Sequence, residues 1–241
     1  MPTTWYEGKI TKIESITENT KQFSVQILNE AIFEFKAGQF VTMDLPIGQK
    51  RLDKWRSYSL ANEPNDKGIL EFCIVRFEEG LASKYLCDEV KEGDILKFKG
   101  PDGGFVLPED LNKPMIWIAT GTGVAPFRGM MWDIIKNNLP FTSIHLIFGT
   151  RKKSDILYFD EFKTWAKENK NFTYSVALSR ENVDGFTRGY VHEVYMDQNY
   201  AIPEEATIYL CGWSKMIDQA VELLIIQKKV KHAQIKYELY G

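Results

Sequence analysis

The sequence is poor in the residues from which cross-links and metal centres are built. Among 241 residues there are three cysteines and three histidines. Cys73, Cys87 and Cys211 are odd in number and far apart, which excludes a disulfide framework and a four-thiolate iron–sulfur site made by this sequence alone. His145, His192 and His232 have no metal-ligand spacing, so no metal site is expected and any electron-carrying cofactor should be organic. No apolar run approaches the roughly 20 residues that cross a bilayer. The opening MPTTWYEGKI lacks the charged leader and apolar stretch of a secretory signal, and the protein is expected to begin near Met1 and to remain cytoplasmic. A net charge of −3, with the basic residues scattered, leaves no electrostatic footprint for nucleic acid. There is no internal repeat and no low-complexity tract. What is present, 44% apolar and 26% charged residues, suits a globular chain of one large or two modest domains.

Two grammars follow one another along the chain. The first hundred residues alternate short β-rich segments, such as GKITKIESI, FSVQIL, SYSLAN, ILEFCIVRF and GDILKFKGP, with turn signals such as PND, EEG and PDGG. That spacing predicts an antiparallel barrel, interrupted by one helical stretch, LASKYLCDEV. From about Pro114 apolar strands alternate with amphipathic helices: MIWIAT and APFRGMMWDIIKN, IHLIFGT and LYFDEFKTWAKEN, FTYSVALS and GYVHEVYMDQ, TIYLCG and SKMIDQAVELLIIQKK. Four such units predict a parallel sheet covered by helices. The expected domains are residues 1–108, a β-barrel, and 109–241, an α/β nucleotide-binding domain.

Several motifs sit where ligands bind in such folds. In MIWIATGTGVAPFRGM a strand runs through Thr120, Gly121, Thr122 and Gly123 into a helix carrying Pro126 in its first turn. Glycines there admit a close ligand, and the free amides of a helix start favour a pyrophosphate, although a tight turn without ligand has the same form. Ser179 and Arg180 end the third strand, with Arg188 beyond. They either form a 2′-phosphate site or are solvated surface charges beside Glu181 and Asp184. Cys211 and Gly212 end the fourth strand, where a small thiol fits beside a planar ring or simply packs in the core. In the barrel half, Arg56, Ser57, Tyr58 and Ser59 offer a guanidinium, a ring for stacking and a hydroxyl. Gly80 and Ser83 lead a helix, as an anion site or an ordinary cap.

In this order, and over nearly the whole chain, the blocks AGQFVTMDLP, RSYSLAN, FCIVRF, GLASKYL, GPDGGFVL, ATGTGVAPF, FGTRKKSDILYFDEF, VALSREN, YLCG and YELYG resemble the ferredoxin–NADP reductase family. That family also takes in cytochrome b5 reductases, oxygenase reductases and the reductase half of flavohaemoglobins. The resemblance implies that FAD is held by Arg56 at its diphosphate and Tyr58 against its ring, with Ser59 hydrogen-bonded to the reducible nitrogen. It implies that Phe72, Cys73, Ile74 and Val75, with Arg76, run beside the ribityl and adenosine portion, and that Ala82 and Ser83 cradle the diphosphate. It further implies that Thr120–Gly123 hold the NADP diphosphate, that Cys211 and Gly212 lie near the nicotinamide, and that Ser179, Arg180 and Arg188 take the 2′-phosphate. GYVHE also occurs in NADH-using relatives, which leaves NAD open. The ending IKYELYG resembles the flavohaemoglobin type, which implies that Glu238 and Tyr240 shape the hydride-transfer site with Ser59 and Cys211.

The function so implied is an NAD(P)H-dependent FAD oxidoreductase, foremost a ferredoxin–NADP or flavodoxin–NADP reductase, expected as a monomer. Because the sequence carries neither a ferredoxin nor a globin segment, electrons are expected to pass to a separate redox protein. The alternatives are an NADH-dependent oxygenase reductase component, a free flavin reductase, and a regulatory subunit that binds nucleotide without turnover.

Overall fold

A computed structural model describes residues 4–28 and 33–240; the terminal Gly241 of the YELYG tail lies outside the described residues. The chain divides into two compact units: Met1–Leu107 with Ala125–Leu139, and Pro108–Val124 with Pro140–Gly241.

The first unit is built on a six-stranded antiparallel sheet in the order β4-β3-β6-β1-β2-β5. Its strands are β1 (Trp5–Thr17), β2 (Thr20–Ile27), β3 (Phe40–Asp44), β4 (Trp55–Ser59), β5 (Ile69–Val75) and β6 (Ile95–Asp102). Alternation drives it. In β2 the buried residues Phe23, Val25 and Ile27 fall at every second position, so one face enters the core and the other meets water. The long β1 is shared between β2 and β6, with register shifts at Ile10/Lys12 and Ser15/Thr17 that let it curve. An antiparallel bridge between Leu60 and Phe72 joins the chain beyond β4 to β5, so the sheet curls toward a barrel. Phe23, Val25, Val41, Met43, Phe72 and Phe98 fill it at 0% exposure, and each such large side chain contributes about 1.5–3 kcal/mol by burial. A short helix α1 (Arg51–Lys54) precedes β4, and α2 (Leu81–Lys84) passes directly into a π-helical turn, Tyr85–Glu89. The side chain of Arg51 lies outside the description.

Helix α3 (Ala125–Lys136) also belongs to this first unit. Its Phe127 ring meets Phe105 edge-on at 5.5 Å. Gly129 sits so close to the chain beyond β4 that a Cβ there would lie 2.8 Å from the Asn62 carbonyl oxygen.

The second unit holds a six-stranded parallel sheet in the order β10-β9-β8-β7-β11-β12. Its strands are β7 (Met115–Thr120), β8 (Ile144–Thr150), β9 (Phe172–Leu178), β10 (Thr187–Arg188), β11 (Thr207–Trp213) and β12 (Ile235–Tyr240), with helices α4 (Phe159–Glu168), α5 (His192–Met196) and α6 (Ser214–Ile226). The four predicted βα units supply β7, β8, β9 and β11; β10 and β12 extend the sheet at both edges. One apolar layer gathers Ile118, Ile147, Tyr195, Ile208, Leu210, Ile217 and Leu224, all buried. Near-continuous burial of β7 and β11 fits strands covered on both faces. Among the described residues no helix is long and apolar enough to cross a membrane, and no cluster of His, Cys, Asp and Glu is arranged for a metal ion.

Candidate functional site

The predicted site residues fall into two sets, one in each unit. In the parallel-sheet unit the Thr120–Gly123 segment leaves β7 as a single 3-10 turn, Gly121–Val124. Gly121 has φ +54, in the left-handed region, and an added Cβ would meet only Trp213 Nε1 at 3.8 Å. Its outer side is therefore open to a ligand. Gly123 faces the other way: a Cβ there would stand 2.4 Å from the Cys211 carbonyl oxygen. Gly212, at φ +142, would place its own Cβ 2.2 Å from Thr120 Oγ1. Two glycines thus let the turn and the end of β11 touch backbone to backbone. Thr120 Oγ1 also accepts a 3.4 Å hydrogen bond from the Trp213 amide. The sequence separates Thr120 from Cys211 by ninety-one positions; the fold makes them one surface.

Cys211 pairs in register with Glu238 of β12, and Trp213 with Tyr240. Burial drives the Cys211 thiol well above its ordinary pKa, the Glu238 carboxylate pushes the same way, and a hydrogen bond with Tyr240 opposes both. It stays a neutral thiol: a small polarizable surface, not a nucleophile. Sequence reading places Glu238 and Tyr240 in a tail, whereas the chain makes them part of an edge strand locked to Cys211.

At the same carboxyl ends of the strands, the Ser179 amide donates to the Thr150 carbonyl at 3.0 Å and the Arg180 amide to the Arg151 carbonyl at 2.9 Å. Arg188 pairs with Leu178 across β9 and β10. Three exposed guanidinium groups, on Arg151, Arg180 and Arg188, therefore end three adjacent strands. Among the described residues no carboxylate forms an ion pair with any of them. The sequence gives no site role to Arg151 or the half-exposed Trp213, although Arg151 lies inside the block FGTRKKSDILYFDEF and Trp213 directly follows YLCG.

In the barrel unit, β4 carries the Arg56–Ser59 motif and becomes buried at its end. Ser57 is exposed and bonded to Thr42 Oγ1 at 3.2 Å, while Ser59 is buried at 5% exposure. Tyr58 packs on the barrel core, and burial together with nearby Cys87 raises its hydroxyl pKa far above the ordinary value. Arg56 donates to the Trp55 carbonyl at 2.7 Å. Cys73 and Ile74 are buried at 6% and 2%, with Val75 at the rim. Arg76 points into a local network: its Nε donates to both carboxylate oxygens of Asp88, at 2.8 and 2.9 Å, and its Nη1 to Glu78. That pairing holds both carboxyls below their usual range. Ser83 Oγ accepts from the Phe77 amide at 3.0 Å and lies within bonding reach of the Gly80 and Phe77 carbonyls at 3.1 and 3.3 Å, so the hydroxyl serves its own loop. Gly80 caps α2 in extended geometry, and Ala82 is buried.

The donor sets suit an organic redox pair. An open glycine turn at a helix start matches a diphosphate, free guanidinium forks match a phosphate monoester, and a strand offering both a tyrosine ring and a buried hydroxyl matches a planar heterocycle. Comparison with known proteins agrees. Residues 7–107 match the oxidoreductase FAD-binding domain model, and residues 117–222 match the oxidoreductase NAD-binding domain model. The chain belongs to the ferredoxin–NADP reductase-like oxidoreductases.

An electron transfer component of anthranilate 1,2-dioxygenase from Acinetobacter baylyi is 31% identical over 235 residues, covering 96% of this chain and 66% of that protein. This chain thus spans about two thirds of that relative's length. Ferredoxin–NADP reductase B of Sorangium cellulosum is 27% identical over 241 residues, covering 98% of this chain and 97% of its own. Among solved structures, a Neisseria gonorrhoeae ferredoxin NADP+ reductase with bound FAD and NADP superposes with a TM-score of 0.82 at 21% identity, over 99% of each chain. The last is a likeness of fold. As a member of this family the chain is an FAD- and NAD(P)-binding oxidoreductase.

Proposed function

We propose that this protein is an NADPH-dependent ferredoxin or flavodoxin reductase, with residues 1–108 as its flavin domain and 109–241 as its nucleotide domain. The observation that carries the reading is the set of three adjacent strand ends bearing Arg151, Arg180 and Arg188, with which no carboxylate among the described residues forms an ion pair. An acidic residue there would select a bare ribose, whereas free forks select a 2′-phosphate.

When bound, FAD supplies two-electron uptake from a reduced nicotinamide and one-electron release to a protein acceptor. The chain supplies position. Thr120–Gly123 hold the nucleotide diphosphate on backbone amides. Cys211 and Gly212 present a flat, small surface to the nicotinamide, and the neutral Cys211 thiol adds no charge beside it. Glu238, locked opposite Cys211, provides a carboxylate whose field favours positive charge developing on the nicotinamide. In the barrel unit, Arg56, Tyr58 and Ser59 would hold the flavin, Arg56 by its charge toward a phosphate, Tyr58 by its ring and Ser59 by its hydroxyl.

A second reading has its own support. The relative that is 31% identical is an oxygenase electron transfer component, so the acceptor is either a ferredoxin or flavodoxin, or an oxygenase. The test is the visible spectrum of the freshly purified protein, followed by anaerobic NADPH and, separately, NADH. The proposal expects a bound-flavin spectrum that bleaches at lower concentration with NADPH. Preferential bleaching by NADH moves the oxygenase-reductase reading to the front. Flavin that washes out but turns over when supplied identifies a free flavin reductase, and a protein that takes up no FAD at all leaves only a catalytically silent nucleotide binder.

A further inference from the structure

Helix α3 begins one residue beyond the glycine turn, yet its packing partners are in the barrel unit. Arg128, in its first turn, is nearly enclosed, with 11% of its side chain exposed. Nη1 donates to Glu71 Oε2 at 2.6 Å and to the Ala61 carbonyl at 2.7 Å. Ala61 and Glu71 are themselves joined, since the Ala61 amide donates to the Glu71 carbonyl at 2.8 Å. Asn62 continues the lattice: its Oδ1 accepts from the Glu71 amide at 2.8 Å and its Nδ2 donates to the Ile69 carbonyl at 2.9 Å. Gly129 is pressed against the Asn62 and Leu60 carbonyls, where a Cβ would stand at 2.8 and 3.2 Å. At the far end of the helix Lys136 pairs with Glu63, a carboxylate whose side chain is only 9% exposed. Every one of these contacts lands on the Leu60–Glu63 stretch or on Glu71 beside it. Ser59 is the residue immediately before that stretch.

Surface ion pairs contribute little and are replaceable, but this one is enclosed, shares its donor with a backbone carbonyl and sits beside a glycine that permits backbone contact. Such an arrangement fixes where a segment lies more than it adds stability. Hydride transfer is steep in position, and displacements of about 1 Å cost orders of magnitude in rate. We propose that Arg128 is a positioning residue for hydride transfer. By gripping Ala61 and Glu71 it holds the Leu60–Glu63 stretch, and with it Ser59, at a fixed place in the barrel unit, where Ser59 would meet the flavin. This inference rests on the reductase reading.

The test compares Arg128→Met with the double variant Arg128→Met/Glu71→Met, which also removes the stranded carboxylate. Four quantities are read: bound FAD, amide hydrogen exchange at Leu60 and Ala61, the thermal midpoint, and anaerobic bleaching over a range of NADPH concentrations. The expected Arg128→Met protein keeps FAD and exchanges faster at Leu60 and Ala61. Its limiting bleaching rate falls about tenfold or more, while the NADPH concentration for half-saturation moves less than about threefold. In the double variant the midpoint recovers and the rate does not. A limiting rate within about twofold of wild type, unchanged exchange at the two amides, or a rate that recovers together with the midpoint would each overturn the inference, because a merely structural pair gives those results. If Arg128→Met does not fold, Arg128→Lys, which keeps the charge and loses the fork, is read by the same criteria. Wild-type protein that fails to bleach with either nucleotide defeats the reductase reading and the inference together. Normal wild-type bleaching with an unaltered Arg128→Met rate defeats the inference alone.

Discussion

His145 makes an acid-stability prediction that can be worked through. Its ring lies inside the parallel-sheet unit, with Nδ1 2.7 Å from the Tyr200 hydroxyl and Nε2 2.8 Å from Ser175 Oγ. Burial lowers its pKa from 6.5 to about 4. The neutral ring satisfies both neighbours, donating through one nitrogen and accepting through the other, while the protonated ring would bring an uncompensated charge into the unit. In the unfolded chain the imidazole titrates near 6.5, so between that value and about 4 the unfolded state binds a proton that the folded state refuses. The contribution is therefore fully present above pH 6.5 and is lost as pH falls toward 4. The shift corresponds to about 3 kcal/mol. His145→Gln keeps a donor and an acceptor but cannot titrate. Chemical denaturation of both proteins from about pH 7.5 to pH 4 should show the wild type losing about 3 kcal/mol more than the variant across that window. His192, also lowered by burial, titrates in both proteins and cancels from the difference. Parallel stability curves, within about 0.5 kcal/mol, would refute the reasoning.

Gly123→Ala should destabilise the parallel-sheet unit by about 1–3 kcal/mol and weaken nucleotide binding, because the new methyl would press on the Cys211 backbone, which cannot swing aside; denaturant titration and NADPH binding check it. Arg180→Ala or Arg188→Ala should each raise the NADPH dissociation constant about tenfold or more and leave NADH unchanged, as loss of one charge-assisted phosphate contact requires; equal effects on both nucleotides would place these residues elsewhere than at a 2′-phosphate. All three thiols should resist iodoacetamide near neutral pH in the folded protein, since Cys73, Cys87 and Cys211 are buried, burial pushes Cys87 up to about 11, and Cys211 is raised as well. Mass spectrometry before and after adding denaturant reads the count.

What the sequence made legible follows from how local each signal is. Strands with clean alternation, such as β2, and apolar strands followed by amphipathic helices, such as β8 with α4, are encoded within a dozen residues and were read correctly. β12 was read as a tail because IKYELY has no bounding turn signals of its own; parallel pairing with β11 makes it a strand, and that is a tertiary fact. Ser83 shows the same limit at the level of chemistry. A serine at the start of a helix has one appearance in sequence whatever it holds, and only the fold shows its hydroxyl bonding to the Phe77–Gly80 loop. The glycines divide in the same manner. Gly121 and Gly123 stand two residues apart in one motif, yet the first is open to a ligand and the second exists so that Cys211 can approach.

Helix α3 carries this furthest. Its amphipathic pattern announces a helix, and its place after β7 assigns it to the parallel-sheet grammar, but it belongs to the barrel unit, where its packing partners are Phe105, Glu71, Ala61 and Asn62. Periodicity reports that a face is apolar and cannot report against what it is buried. An enclosed arginine in such a helix is the residue for which that distinction matters. If α3 served only its own βα unit, Arg128 would be a solvated charge of small consequence. Because it instead grips the segment after Ser59, loss of its guanidinium should be felt first in the alignment of that segment and only secondarily in stability.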